Sequence, residues 1–219
     1  IIGIDIPVVA VMGIGQNVQK FDLQLYLRSR FIDKGYKVSQ IGTKKISGLF
    51  GLHPLPDFLF NTQYSDVDKV YAFNRVMKDV SMQEKPDVIL LGIPDSLLPL
   101  NNKHRFSFGL YAYEIFNAVQ PDFVITSLMA NDGYNDEFYS EISKMAKYKY
   151  NVNIDAYFVS QFCPLSNSIW SEKLSYVYLP QMELPKTEYK VYTTSDLNND
   201  ILFKQAEKKL LLYGKYEQY

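Results

Sequence analysis

The sequence predicts an α/β fold in which a mostly parallel sheet is flanked by helices. Short apolar runs, typical of buried strands, occur at residues 8–12, 37–42, 87–92, 122–127 and 153–159. Helical patterns separate these runs, and such alternation predicts βαβ units. Right-handed crossovers would then bring the carboxyl ends of the strands to one edge of the sheet. Because 47% of the residues are hydrophobic and the length suits one unit, we expect a single domain over residues 1–219.

The first half of the chain predicts two strands and two helices. After the strand PVVAVM, a helix is expected from Phe21 to Lys34, with Gly35 in the position of a C-cap glycine. A second strand, YKVSQIGT, leads into a turn-rich stretch, and Ser65 with Asp68 marks the next helix start as a capping-box-like pair. The inward faces of the two helices are predicted to be Leu23, Leu27 and Phe31, and Val70, Phe73, Met77 and Val80.

The second half of the chain repeats one plan. The stretches EKPDVILLGIPD (84–95) and VQPDFVITSLMAND (119–132) each place Pro-Asp before an apolar strand that ends in a polar or glycine-containing loop. Helices are expected between them and after Asn131-Asp132-Gly133, followed by a fifth strand, NIDAYFVSQ. Residues 174–179 and 189–194 predict short strands, and residues 201–213 a closing helix.

The composition argues against several classes of function. A net charge of −1 without a block of like charge does not predict a nucleic-acid-binding surface. The apolar runs are shorter than the roughly 20 residues that span a bilayer, so we expect a cytoplasmic protein without a membrane partner. Two histidines and one cysteine offer few zinc ligands. His53 and His104 lie in loop-like segments, where a histidine is usually a hydrogen-bonded surface group.

The stretch VVAVMGIGQNVQKFDLQLYLRSRF (8–31) has the order of a phosphate-binding loop: a strand, a glycine-containing loop, a lysine and a helix. In such a loop, backbone N–H groups and the helix N-terminus surround an anion, and the lysine adds a point charge. We therefore expect a compact turn leading directly into the helix, with Lys20 at its N-terminus. The predicted ligand-binding residues of this loop are Gly13, Gly15, Gln16, Asn17, Gln19 and Lys20.

The loop departs from the usual pattern at two positions. Gln19 stands where a glycine is expected, so it should be strained or the loop remodelled there. Phe21 stands where a serine or threonine normally holds Mg²⁺. We expect the Phe21 ring to close the metal position, so that nucleotide binding is weak and insensitive to Mg²⁺. Asp22 has two alternative roles. It is either a Mg²⁺ ligand or an exposed carboxylate in the first turn that complements the helix dipole.

Further residues should reach the same crevice because they follow neighbouring strands. Each has a structural alternative: Lys44 as a solvated surface charge, Asp95 as a turn residue after Pro94, and Asn131-Asp132 as an ordinary turn and helix entry. The predicted contributors beyond the loop are Thr43, Lys44, Gly92, Asp95, Asn131 and Asp132.

The segment GIGQNVQK is similar to the G-T-x-T-x-V-G-K-T loop of dethiobiotin synthetase and related P-loop proteins. DVILLGIPDSLLPL also resembles the E-G-x-G-G-L-x-P segment of that group, with Gly92 matched and Asp95 in a glycine position. The resemblance implies a P-loop NTPase-like architecture that binds ATP or another nucleotide. Without the usual glycine and hydroxyl, it leaves open whether the chain is an enzyme.

Five long segments carry a second resemblance: FDLQLYLR, KGYKVSQIGT, HPLPDFLFNTQYSDVDKVYAFNRVMKD, NNKHRFSFGLYAYEIFNAVQPD and MANDGYNDEFYSE. Through them, nearly the whole chain resembles the peptide maturation system proteins of clostridial ribosomal-peptide clusters. The resemblance implies an accessory protein of peptide maturation that binds a nucleotide or another anionic ligand, with a precursor peptide or a peptide-modifying enzyme as partner. It implies no particular reaction, leaves a homodimer open, and suggests that residues 1–219 are the C-terminal part of a longer chain. The alternative function is a catalytically inactive scaffold with the same P-loop-like fold that binds a precursor peptide or a modifying enzyme.

Overall fold

The fold is seen in a computed structural model that describes residues 1–43, 45–180 and 182–212. It consists of a seven-stranded sheet, in which every pairing is parallel, with helices on both faces. The predicted α/β fold class is therefore confirmed. The strands of this sheet are β1 (Val8–Ile14), β2 (Val38–Gly42), β3 (His53–Pro54), β4 (Val88–Gly92), β5 (Phe123–Leu128), β6 (Ala156–Val159) and β9 (Val191–Tyr192).

The strand order is β3-β2-β4-β1-β5-β6-β9, so the first strand lies at the centre. Two further strands, β7 (Phe162–Pro164) and β8 (Tyr176–Tyr178), form a separate antiparallel pair. The strand predicted at 174–179 is thus present, but it belongs to this small hairpin sheet. The pair lies in the long segment between β6 and β9, which is hydrogen-bonded to the loops at the carboxyl edge of the main sheet.

In the described part of the chain, four α-helices connect strands of the main sheet and two more follow the last strand. The predicted helices begin and end within a few residues of the expected positions. An additional short helix, α5, follows the last strand and was not expected from the sequence. Two 3₁₀ helices (Lys45–Phe50 and Asp57–Phe60) occupy the turn-rich stretch. The α-helices are α1 (Lys20–Asp33), α2 (Asp66–Glu84), α3 (Leu110–Ala118), α4 (Asp136–Tyr150), α5 (Thr194–Leu197) and α6 (Ile201–Leu210). None of the helices in these described ranges has the length and apolar character needed to cross a bilayer.

The sheet separates two apolar layers. Along β1, Val9 and Val11 face α1 and α6, whereas Val8, Ala10 and Met12 face α2, α3 and α4. All five side chains are buried. A parallel strand covered on both faces has no solvent side, so its sequence is continuously apolar rather than alternating.

The direction of winding reverses beside β1. The chain passes from β1 over one face through α1 to β2, and then returns over the other face through α2, α3 and α4. The loops that follow β1 and β4, which are neighbours in the sheet, therefore leave toward opposite faces. In open α/β sheets, ligands bind in the crevice that such a reversal creates at the carboxyl ends of the strands.

The aspartates of the repeated Pro-Asp pattern form hydrogen bonds at the amino ends of the strands, which is the edge of the sheet opposite the crevice. Asp122 Oδ2 accepts a hydrogen bond from the Val8 N–H at 2.8 Å, and Asp87 Oδ2 accepts one from the Lys37 N–H at 2.7 Å. Asp155, which precedes β6, does the same for the Val124 N–H at 2.9 Å. Each aspartate thus satisfies a backbone donor at the start of a neighbouring strand or within one residue of it.

We predict that Asp122→Ala lowers the free energy of unfolding by about 1–3 kcal/mol, because the Val8 N–H loses its partner in a partly buried position. Urea denaturation of the wild type and the variant would measure this. Asp132→Ala is the matched control, since Asp132 is exposed and the change should stay within about 0.5 kcal/mol. Equal stability losses in the two variants would contradict the role assigned to Asp122.

Candidate functional site

The candidate site is the turn between β1 and α1. The turn is compact and α1 begins at Lys20, one residue before the expected start. One boundary differs from the prediction: Gly13 and Ile14 belong to β1, because they pair with Ser127 and Leu128 of β5. The loop itself is therefore residues 15–19.

The loop backbone alternates in handedness. Gly15, Asn17 and Gln19 have φ values of +105°, +54° and +55°, whereas the residues between them do not adopt positive φ. Such alternation turns successive N–H groups toward one point and forms an anion-binding concavity. The N–H groups of residues 16–20 donate no hydrogen bond to any part of the chain that the structure describes. Five consecutive backbone donors are thus available at the N-terminus of α1.

Gln19 has the strain expected from its position. It is the N-cap of α1 and lies in the left-handed region, where a glycine would fit without steric cost. Its side chain partly compensates, since Gln19 Oε1 accepts a hydrogen bond from the Gln161 N–H at 2.7 Å. This contact also ties the loop to the segment that leads into β7.

The loop after β4 holds the loop between β1 and α1 in place. Ser96 Oγ accepts a hydrogen bond from the Gly15 N–H at 2.7 Å, and the Gly13 carbonyl accepts one from the Leu97 N–H at 3.0 Å. Asp95 adds contacts from both its carboxylate and its backbone. Its Oδ1 accepts a bond from Gln16 Nε2 at 3.3 Å, and its Oδ2 accepts one from the Ser107 N–H at 2.7 Å.

Lys20 lies at the helix N-terminus with its side chain directed into the site, as expected. Its Nζ donates a hydrogen bond to the carbonyl oxygen of Asp95. Burial lowers the pKa of Lys20 to about 8, and the charge of Asp95 offsets only part of this effect. The ammonium group is therefore near its titration point at slightly alkaline pH and has a partner that carries no formal charge.

Phe21 is buried and forms part of the cavity wall. Its ring centroid lies 6.1 Å from that of Phe50, and an added Cβ on Gly42 would lie 3.4 Å from Phe21 Cε2. The ring thus packs toward the end of β2. Within the described ranges, no group of three or more His, Cys, Asp or Glu side chains is placed to hold a metal ion. Closure of a metal position by Phe21 stays a prediction.

A cavity of about 350 Å³ opens beside the loop. Four residues predicted from sequence line it: Asn17, Gln19, Lys20 and Thr43. The sequence interpretation missed its aromatic side, because no local signal in the segment 162–176 indicates that it folds back over the loop. The additional lining residues are Val18, Phe21, Asp22, Phe162 and Tyr176.

Other predicted residues lie near this cavity without lining it. Gly92 leaves little room for a side chain: an added Cβ would lie 2.5 Å from Thr43 Cγ2 and 2.6 Å from Gln24 Oε1, so those side chains would have to shift. Gly13 is similar, with Val18 Cγ2 at 2.8 Å from such a Cβ. Gly15, Gln16 and Asp95 shape the loop through the hydrogen bonds described above.

Asn131 and Asp132 are exposed, and the structure does not bring them to the cavity. Asn131 Oδ1 accepts a hydrogen bond from the Gly133 N–H at 2.8 Å, which is the turn alternative considered for this segment. Lys44 lies outside the described residues. A ligand-binding role for these three residues stays a prediction.

No family model and no curated protein matches the chain at the level of sequence. A DUF1611 family protein from Anabaena variabilis has a similar structure, with a TM-score of 0.50 and 14% identity over 72% of this chain and 46% of the other. The chain thus spans about half the length of that relative. At this identity the likeness concerns the fold.

Two further solved structures are similar at lower TM-scores. A MobB protein homolog from Bacillus stearothermophilus has a TM-score of 0.40 and 12% identity over 93% of this chain and 97% of the other. Cobyrinic acid a,c-diamide synthase from Mycobacterium smegmatis, solved with bound ADP and magnesium, has a TM-score of 0.43 and 14% identity over 70% and 73% of the two chains. The chain has the P-loop-like α/β fold that the sequence predicts, with the loop leading from the central first strand into α1.

We predict that Gln19→Gly is more stable than Gln19→Ala by about 1 kcal/mol, because only glycine adopts the left-handed conformation without a Cβ penalty. Both variants lose the bond to Gln161, so the difference isolates the backbone strain. Urea denaturation would measure it.

The control is the same pair of substitutions at Arg75, an exposed residue within α2, where alanine should be the more stable by about 1 kcal/mol. An alanine variant at position 19 at least as stable as the glycine variant would show that the loop has another conformation.

Proposed function

We propose that the protein binds a nucleotide, or another ligand with phosphate groups, in the loop between β1 and α1. The observation that carries this proposal is the set of five backbone N–H groups, residues 16–20, that lie in a loop of alternating handedness and have no hydrogen-bond partner in the described part of the chain. Unpaired backbone donors at a helix N-terminus favour an anion both by hydrogen bonding and by the helix dipole.

The residues around the loop fit such a ligand. The Lys20 ammonium has three N–H donors, and one bond to the Asp95 carbonyl leaves two for a phosphate. The cavity of about 350 Å³ lies in the range of small-molecule sites, and it extends past Thr43 to Phe162 and Tyr176. Aromatic side chains on that side offer a surface against which a planar base packs.

The proposal does not require Mg²⁺. Phe21 occupies the position where a hydroxyl would hold the metal in a phosphate loop, and a phenyl ring has no oxygen to offer. Binding then depends on the backbone donors and Lys20, which supports weak affinity that does not change with Mg²⁺. Hydrolysis is not expected, because phosphoryl transfer depends on metal ions and positioned charges around the transferred group.

The wider role that we propose is that of an accessory protein in the maturation of ribosomally made peptides, acting in the cytoplasm. Its support is the resemblance of long segments to the peptide maturation system proteins, and a precursor peptide or a peptide-modifying enzyme is the proposed partner. The second candidate is a catalytically inactive scaffold of the same fold whose role is to bind a precursor peptide or a modifying enzyme. The strained Gln19 and the buried Phe21 favour that candidate over an active NTPase.

We predict that ATP binds the wild type with an affinity unchanged by Mg²⁺, and that Lys20→Ala weakens binding about tenfold or more because a charge-assisted bond to phosphate is lost. Isothermal titration with and without Mg²⁺ would measure both effects. Lys34→Ala is the matched control, since Lys34 lies at the other end of the same helix and is exposed.

Phosphate release would be followed on the same samples. Binding that is equal in the wild type and both variants would refute the loop as the site. Mg²⁺-dependent hydrolysis abolished by Lys20→Ala would instead identify an active enzyme with a variant loop and would refute the scaffold.

The pKa of Lys20 predicts the pH dependence of anion binding. A bound phosphate stabilises the charged ammonium, so affinity is full below about pH 8 and falls by up to about tenfold per pH unit above it, until the pKa of the complex is reached. Titrations between about pH 7.5 and pH 9.5 keep the phosphate charge constant, because its second pKa is about 6.

Lys20→Arg is the control for this effect, because a guanidinium stays protonated throughout this range. Its affinity should be constant with pH. A wild-type profile as flat as that of Lys20→Arg would contradict the assignment of Lys20 to the ligand.

A further inference from the structure

A second cavity lies on the other side of the loop tip. Its volume is about 450 Å³, and Asn17 and Tyr176 line both cavities. The far wall consists of the segment after β4, residues 103–106, and the segment before β8, residues 172–174. The two cavities therefore form neighbouring parts of one cleft, separated by the loop tip.

Three cationic side chains without an ion pair in the described part of the chain line this second cavity. Lys103, Arg105 and Lys173 line it, and none of them forms an ion pair with a residue in the described ranges. Lys103 Nζ donates one bond to the Trp170 carbonyl at 3.0 Å, and Arg105 Nε donates one to the Asn102 carbonyl at 3.0 Å. Most of the N–H donors of these side chains stay available.

Two buried polar atoms in the same cavity also lack a partner. His104 Nε2 and the Tyr176 hydroxyl are shielded from solvent, yet neither has a hydrogen-bond partner in the described part of the chain. His104 was expected to be a hydrogen-bonded surface group, and its ring nitrogen departs from that expectation. A buried polar atom without a partner is unfavourable, so these two atoms mark this part of the cleft as unusual.

Hydrogen bonds connect the two parts of the chain that form the walls of this cavity. Asn101 Nδ2 donates to the Ile169 carbonyl at 2.9 Å, and Lys103 Nζ donates to the carbonyl of the next residue, Trp170. The wall that follows β4 is also joined to the loop between β1 and α1, because the Asp95 carboxylate accepts hydrogen bonds from both Gln16 and Ser107. The donors are thus placed on a connected framework next to the loop.

We propose that this cavity binds an oxyanion group, carboxylate or phosphate, of a second ligand that is distinct from the one in the loop. Arg105 offers a planar fork that matches such a group, and the two lysines add point charges. Glu172 stands at the same cavity as a single opposing charge, so three cations face one carboxylate. The role of this ligand as a co-substrate or effector rests on the proposed function, whereas its binding does not.

The test uses Trp170, the only tryptophan of the chain, as a reporter. Its side chain is exposed, and its carbonyl is bonded to Lys103. Citrate and inorganic pyrophosphate would be titrated separately while the Trp170 fluorescence is followed. The variants are Arg105→Ala/Lys173→Ala for this cavity, Lys20→Ala for the loop, and Lys208→Ala as an exposed lysine on α6.

We expect at least one of the two anions to bind the wild type, with a dissociation constant about tenfold or more higher in Arg105→Ala/Lys173→Ala and unchanged in Lys208→Ala. Citrate alone would identify a carboxylate ligand, and pyrophosphate alone a phosphate ligand. Binding should persist in Lys20→Ala, and ATP should still bind Arg105→Ala/Lys173→Ala.

Two outcomes would overturn this proposal: no binding of either anion at millimolar concentration, or binding that the double substitution leaves unchanged. Loss of anion binding in Lys20→Ala alone would place the anion in the loop, which refutes the second site and supports the first. Loss of ATP binding in Lys20→Ala together with retained anion binding at the cavity would be the result that supports both.

Discussion

The arrangement of the site depends on the hydrogen bonds between the two loops that leave β1 and β4. The reversal of winding beside β1 places these loops next to each other, and Asp95 with Ser96 then fixes the position of the first loop. Because the Ser96 hydroxyl binds the Gly15 N–H and the Asp95 carbonyl binds Lys20, both ends of the loop are held from the same side. The N–H groups between these two contacts have no partner among the residues that the structure describes, and they form the candidate site.

The same junction connects the two cavities. Asp95 contacts Gln16 of the loop and Ser107, which directly follows the segment that carries Lys103 and Arg105. A ligand that displaced Lys20 from the Asp95 carbonyl would therefore act on a residue that also anchors the second cavity. This arrangement gives the proposed sites a physical connection through one residue rather than through the sheet.

The fold could be predicted from the sequence because a central parallel strand leaves a continuous apolar run, as in residues 8–12. The strain at Gln19 could also be predicted, since it follows from a side chain at a glycine position. The aromatic wall could not, because Phe162 and Tyr176 reach the loop through an antiparallel pair that forms far from it in sequence. Asn131 and Asp132 follow a strand of the same sheet, but their loop turns back on itself through a local hydrogen bond and stays exposed.

The central claim is that the backbone donors of residues 16–20 bind an anion, and the most direct measurement is a ¹⁵N–¹H correlation spectrum recorded during a titration with ATP. The account predicts that the amide resonances of these residues shift together and to lower field, as expected for N–H groups that gain a charged acceptor. Resonances at the opposite edge of the sheet, such as that of Val124, should not move. Saturable shifts elsewhere in the chain, with those of residues 16–20 unchanged, would contradict the account.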